Sequence, residues 1–435
     1  MLIALSKICK QWAVFLYVFL MIFLFGCNNA ANNQSQNTDS GKSTSPVYQK
    51  ESPVIENPEQ KLFKEKKYAQ AAEILEKKLK DNPDDFDTLK FLADCYYLMK
   101  ETEKSLKIAD KLIQKEPENA DVHLLLGNIY LYREESGKKA VFHYRKALEK
   151  RPDDNSTFLN LMEAYFLDNQ LFETIVPLEK YLKKNPDDDR AMVILGEAYI
   201  ECGRLPDAQK LLKIAVKKKP DDANRWILLG ESFMDHKQFD KSLNALEISR
   251  SLDPDNPDVY LDIGEIYYWR GDYEKGEKLI RRALSMDPSY FSPYNELGNL
   301  YYLKKDYKTA EYYHKESLKR YPGYYDAYKG LGKVYLARKE YDKAEKAFKR
   351  AIELKPLRQG ETYMFLSDFY RIRGNNNEAE ECLLKAIKTD AHYPEPYKKL
   401  IKFYQGRGEN QKAAEIETLM KTYCTPEKTT YKTGQ

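Results

Sequence analysis

Pro152, Pro186, Pro220, Pro254, Pro288, Pro322 and Pro356 each stand 34 residues after the last, and Pro117 and Pro83 extend the series backwards with one residue inserted before Pro152. Proline has no backbone N–H and its ring clashes with the preceding turn, so it ends helices. Stops at one fixed spacing mean one supersecondary unit used again and again. A unit of this length cannot bury its own apolar face, so neighbouring units must stack. The spacing therefore constrains the chain to a repeat array over most of its 435 residues.

Aligning the chain on these prolines brings further columns into register. The eighth place of each unit holds a small residue in Ala93, Gly127, Gly196, Gly230, Gly264, Gly298 and Gly332. Three residues later comes an aromatic, among them Tyr96, Tyr130, Tyr199, Phe233, Tyr267, Tyr301 and Tyr335. The fourth place carries Trp226, Tyr260, Tyr294, Tyr328, Tyr363 or Tyr397, and an alanine recurs further on at Ala71, Ala140, Ala208, Ala310, Ala344, Ala379 and Ala413. Places 4, 7, 8 and 11 share one face of a first helix, and the later alanines share one face of a second. Asp153, Asp187 and Asp221 follow their prolines, where the next helix needs a cap.

These columns resemble the tetratricopeptide pattern W-x2-L-G-x2-Y, then A-x3-F, then P, over residues from about 55 to 424. The resemblance implies an all-α chain, an α-α superhelix of about ten to eleven helix–turn–helix repeats. Most of the 35 tyrosines then belong to the core and to inter-repeat packing. Some positions depart from the pattern. Met162 takes the small place of the fourth repeat, and Pro177 falls inside its second helix, which it is expected to kink or shorten. Ser367 and Ala391 replace the small residue and the proline of the tenth repeat. In the degenerate first unit Pro58 is expected to disrupt the first helix, leaving a second helix over Tyr68 to Leu79. Residues 425–435 read as a frayed tail.

The N-terminus has a different composition. After Lys7 and Lys10, Trp12 to Phe25 is unbroken apolar sequence, too short for a spanning helix of about 20 residues and suited to a signal-peptide core. Leu24-Phe25-Gly26-Cys27 resembles the bacterial lipobox, which implies removal of residues 1–26 and acylation of Cys27. The alternative is a short anchor that stays uncleaved. Either way a bacterial cell membrane or outer membrane holds the chain, with its bulk outside the cytoplasm. Residues 27–54, rich in Asn, Ser and Gln, read as a flexible tether.

The 71 basic and 68 acidic residues nearly cancel, so no basic stripe points to nucleic acid. Six cysteines and five histidines lack the short spacings of a metal site. The aspartates around Pro254 and Pro257 lack the Gly and Glu of a calcium loop and read as turn and cap residues. No phosphate loop, GxSxG or HExxH is present. No catalytic residue, cofactor or small-molecule substrate is expected.

The family resemblance implies that first-helix places 2, 5, 9, 12 and 13 line an inner groove. Place 9 carries Glu163, Glu197, Glu231 and Glu265 in repeats 4 to 7. Place 5 is Leu159, Val193, Ile227 and Leu261, and place 12 is Phe166, Ile200, Met234 and Tyr268. An acidic ladder between two apolar rows suits a partner segment with basic and apolar side chains. The competing account is that glutamate merely favours helix and solubility, and that place 5 packs against the adjacent repeat. The expected role is a lipid-anchored protein–protein interaction scaffold or adaptor of the bacterial cell envelope. The alternative is a regulatory or substrate-presenting subunit of an envelope enzyme or of a secretion or assembly complex.

Overall fold

The computed structural model describes residues 57–424 apart from Glu135, Asn169, 355–358, Asp390 and His392, so the expected signal segment, Cys27, the tether and the 425–435 tail lie outside the described residues. Twenty-two α-helices and no strand occur among the described residues. They fall into two compact units that divide after Asp168. The first unit contains α1 (Pro58–Lys64), α2 (Tyr68–Asp81), α3 (Phe86–Leu98), α4 (Thr102–Lys115), α5 (Ala120–Tyr132), α6 (Gly137–Lys150) and α7 (Asn155–Leu167). The second contains α8 (Leu171–Lys184), α9 (Asp189–Glu201), α10 (Leu205–Lys218), α11 (Ala223–Asp235), α12 (Phe239–Leu252), α13 (Pro257–Trp269), α14 (Tyr273–Met286) and α15 (Ser292–Leu303). It continues through α16 (Tyr307–Arg320), α17 (Tyr325–Ala337), α18 (Tyr341–Glu353), α19 (Gln359–Ile372), α20 (Asn376–Thr389), α21 (Pro394–Gly406) and α22 (Asn410–Cys424). Odd-numbered helices are first helices of repeats and even-numbered ones are second helices.

Side chains cap most first helices, one residue later than the sequence suggested. Asp154, Asp188 and Asp222, not the preceding aspartates, accept from backbone N–H groups of the first turn. An aspartate there satisfies donors that the helix itself leaves open. The fourth-place aromatic closes the other side of the same corner. Trp226 Nε1 donates to the Pro220 carbonyl at 2.8 Å, and the Tyr260 hydroxyl donates to that of Pro254 at 2.9 Å. Where alanine replaces the proline, the Tyr397 hydroxyl still donates to the Ala391 carbonyl at 2.9 Å. The column selects an aromatic with a polar tip because the carbonyl of the turn needs a donor.

Two prolines expected to interrupt helices stand in helices that are not cut short there. Pro58 does not disrupt a helix; it is the first residue of α1, where the missing N–H would have had no intrahelical partner. Pro177 does not shorten α8, which spans 14 residues like α10 and α12. Ile175 and Leu178 are buried on either side of it, so packing holds the helix across the lost hydrogen bond.

The small column makes room for a side chain of the second helix. A Cβ built on Gly196 would stand 2.9 Å from Leu212, and one on Gly332 would stand 2.5 Å from the Phe348 ring. In the eighth repeat the inserted residue is His314, fully buried between Gly298 and Gly330, with Nδ1 2.9 Å from the Asn295 side-chain oxygen. Burial pushes this imidazole down to about 3.

Adjacent repeats are latched through the eleventh place. Within the second unit the Tyr199 hydroxyl donates to Glu179 at 2.7 Å, Tyr301 to Glu277 at 2.9 Å, Tyr335 to Glu311 at 3.0 Å, Tyr370 to Glu345 at 3.0 Å and Tyr404 to Glu380 at 2.7 Å. Tyr96 and Glu76 form the same pair in the first unit. Each latch ties a first helix to the second helix of the repeat before it. A cation often completes it, as Arg204 does on Glu179 and Arg338 does on Glu311. The turn between the two helices of a repeat holds one residue in the left-handed region: Gly203, Gly271, Gly374 and Gly408 in some repeats, Lys66, Lys100, Lys237, Lys305 and Lys339 in others.

Candidate functional site

The ninth-place glutamates sit on first helices and are half-buried. Glu163 belongs to the first unit, where the Tyr132 hydroxyl donates to it at 2.8 Å. Glu197, Glu231 and Glu265 belong to the second unit, on α9, α11 and α13. One helical turn beyond them stand Glu201, Asp235 and Trp269. Two of these three helices thus place carboxylates at i and i+4 on the same face. Like charges at that spacing weaken a helix by a few tenths of a kcal/mol, roughly what an opposite pair gains.

The second helices do the opposite. Glu277–Arg281, Glu311–Lys315, Glu345–Lys349, Glu381–Lys385 and Glu417–Lys421 are i,i+4 ion pairs at 2.6 to 2.8 Å. From α14 onward each second helix thus sets a carboxylate and a cation at this spacing, where α9 and α11 set two carboxylates.

The apolar rows lie deeper than a partner could reach. Leu159, Ile227, Leu261, Phe166, Ile200 and Tyr268 are buried, and only Val193 and Met234 of the eight are half-exposed. Place 5 and place 12 therefore mainly pack repeat against repeat. Tyr268 is tied down further: its hydroxyl donates to Glu296 at 2.6 Å, and burial beside Glu265 and Glu296 pushes its pKa well above the ordinary phenol value.

Trp269, the last residue of α13, stands outside the rows that the sequence marks. It is 53% exposed, its Nε1 donates to Glu265 Oε1 at 3.2 Å, and its ring stands 5.7 Å from that of Tyr268. The available signal was its position, place 13 of a first helix, one turn beyond a ninth-place glutamate. Further along, Lys329 is held by Asp326 and Glu361 at 2.7 Å each. Lys333 lies over the rings of Tyr302 and Phe365, at 4.9 and 5.2 Å, and burial, reinforced by Lys329, lowers its pKa.

Burial pushes the Cys95 thiol up to about 12 and those of Cys382 and Cys424 up to about 11, so these sulfurs stay protonated. Among the described residues no three His, Cys, Asp or Glu side chains gather as metal ligands, and no helix is long and apolar enough to cross a membrane.

No curated protein matches the chain. Solved structures that resemble it include yeast Tom70, at 17% identity over 84% of this chain and 90% of that one, with a TM-score of 0.44. The APC/C hetero-tetramer Cut9-Hcn1 is 12% identical over 84% of this chain and 95% of that one, with a TM-score of 0.44. The human IFIT1 dimer with m7Gppp-AAAA is 16% identical over 80% of this chain and 94% of that one, with a TM-score of 0.49. Models described as tetratricopeptide repeat match residues 62–129, 174–231, 255–323, 289–356 and 360–393. With the helix pairs, the small column and the proline corners repeating over the same stretches, the chain belongs to the tetratricopeptide repeat family.

Proposed function

We propose that this chain is a protein-interaction scaffold whose second unit takes up a partner segment carrying basic side chains, along the face that bears Glu197, Glu231 and Glu265. The observation that carries this reading is the row of half-buried glutamates that recurs at the ninth place of α9, α11 and α13. Such a row favours a cationic segment and discriminates against acidic competitors. Val193 and Met234 are the apolar residues of the set available beside the acidic row. The near-balance of total charge favours a protein partner over a polyanion.

The N-terminal sequence extends the proposal to location. Lys7 and Lys10, the apolar run and Leu24-Phe25-Gly26-Cys27 support lipid attachment at Cys27 and a place on the outer side of a bacterial membrane. Two or more acyl chains give stable anchoring, each buried methylene contributing about 0.8 kcal/mol. The scaffold then holds its partners near a lipid surface.

The groove is tested by immobilising the chain and its Glu197→Lys, Glu231→Lys, Glu265→Lys triple variant, and exposing both to detergent-solubilised envelope. A protein retained by the wild type and lost from the variant is the expected result. Equal retention on both would remove the acidic face from the account.

A further inference from the structure

We propose that an exposed stripe on α8, α10, α12 and α14, formed by the sixth, tenth and thirteenth places of these second helices, docks the chain on an anionic lipid bilayer. This rests on the reading that the N-terminus holds the chain at a membrane, and adds a second contact that sets which side meets the lipid.

Helical spacing defines the stripe. The three places lie at i, i+4 and i+7, on one face of a helix. On α8 they are Val176, Lys180 and Lys183, and on α10 they are Lys210, Ile214 and Lys217. Asn244, Ile248 and Ser251 follow on α12, then Lys278, Arg282 and Ser285 on α14. Every one of these residues is exposed, and none is a carboxylate. Among the described residues the cations of the stripe make no ion pair, whereas Arg281, next to Arg282 and off the stripe, is paired with Glu277 at 2.7 Å. The run ends on α16 and α18, where Glu316 and Glu353 enter the same places.

Charge and apolarity together choose the occupant. The chain's charges nearly cancel in total, yet the second unit separates them. Its acidic row stands on first helices, and its carboxylate-free stripe stands on second helices. Cations spread over four helices suit an extended anionic surface better than a single anion. Val176, Ile214 and Ile248, 36 to 38% exposed, stand among them. Aliphatic side chains beside lysine and arginine settle at the boundary of headgroups and acyl chains, while the cations reach the phosphates. A nucleic acid would engage the cations and leave the aliphatic residues in water. An N-terminal lipid makes this second contact intramolecular, so a weak surface is enough to orient the chain. Stripe and acidic row belong to different helices, so docking leaves α9, α11 and α13 available to a partner segment.

Photocrosslinking reads the docking separately from the anchor. Benzoylphenylalanine replaces Ile214 in the full chain, which is mixed with vesicles of phosphatidylcholine alone or of phosphatidylcholine with phosphatidylglycerol. A control carries it in place of Leu384, exposed on α20, where Glu381 takes the sixth place. Lipid adducts at the Ile214 position are expected about fivefold more often on the phosphatidylglycerol vesicles. High salt should reduce them, whatever any substitution does to the fold. Each lysine near an anionic surface strengthens binding about fivefold, so Lys183→Gln, Lys210→Gln and Lys217→Gln together should bring adducts down to the phosphatidylcholine level. Adducts equal on both vesicles, or no more frequent than at the Leu384 position, would overturn the docking. So would an oligonucleotide that binds the full chain and not the triple variant while no lipid adduct forms. Flotation with phosphatidylcholine vesicles tests the anchor alone. A chain left behind there would end the anchor reading, and the phosphatidylglycerol vesicles would still decide the docking.

Discussion

His314 shows how a single residue can depart from its column and still obey it. Tyr144, Leu212, Leu246, Ile280 and Phe348 fill the slot above their glycines with rings or branched chains; His314 fills the same slot with an imidazole. Its Nδ1 faces Asn295, glycines close it in, and Lys329 and Lys333 lie near enough to disfavour a second charge. In the folded chain it stays neutral down to about pH 3. Unfolding returns it to its ordinary value near 6.5, so protonation favours the unfolded chain. This contribution is whole above about pH 6.5 and is lost progressively as pH falls toward 3. His314→Leu is therefore expected to flatten the acid limb: between about pH 7.5 and about pH 5, urea midpoints should fall less for the variant than for the wild type. A parallel fall in both would mean that the imidazole is already charged in the fold. Nothing in the sequence marks this site as neutral. The slot exists only once Gly298 and Gly330 are brought to the two sides of α16.

At the scale of the element, much was legible. Proline spacing, the small column and the aromatic columns set the helix pairs and their stacking, because each follows from a local rule that repeats. The misreadings came where position within a helix reverses a residue's effect. Pro58 breaks a helix from inside and starts one from its first turn. The turns inside the repeats were equally hidden. Gly203 and Gly271 announce a left-handed residue, but Lys100, Lys237, Lys305 and Lys339 occupy the same place at positive φ, a conformation unfavourable for a side chain with a Cβ. The hydrogen bonds explain why it is tolerated: the N–H of Lys237 donates to the Met234 carbonyl and that of Gln238 to the Phe233 carbonyl, each at 2.8 Å, closing the end of α11. Replacing Lys237 or Lys339 with glycine should stabilise the chain by about 0.5–1 kcal/mol each, after the greater freedom of glycine in the unfolded chain is counted. Thermal or urea unfolding of the single variants checks this, and a loss of stability would mean that the lysine side chains contribute more than the backbone strain costs.

For the whole molecule the sequence predicts one uninterrupted array, whereas the structure divides into two units inside the fourth repeat, the one that carries Met162 and Pro177. The acidic row is correspondingly shared, Glu163 in one unit and the other three glutamates in the next. Periodic alignment counts repeats, since every repeat keeps its columns, and does not mark where one compact unit ends and the next begins. The same limit applied to the apolar rows. Leucines and isoleucines at places 5 and 12 suit a groove or a core equally, and only burial separates the two. The proposed lipid anchor belongs to this scale too. Metabolic labelling with a fatty acid should mark the wild-type chain and not Cys27→Ala, and the variant should no longer partition with membranes after cleavage. Label retained in the variant would end the lipid-anchor reading.

The tyrosine–glutamate latches have a consequence beyond stability. Even the widest of them, Tyr370 to Glu345, joins residues only 25 apart. No such pairing waits for distant parts of the chain to find each other, so contact order stays low however many repeats are added. A nucleus can form anywhere and spread outward one repeat at a time. A descendant longer by whole periods would meet the same local search at every step, and its added length would enlarge the surface it offers without lengthening the loops it must close.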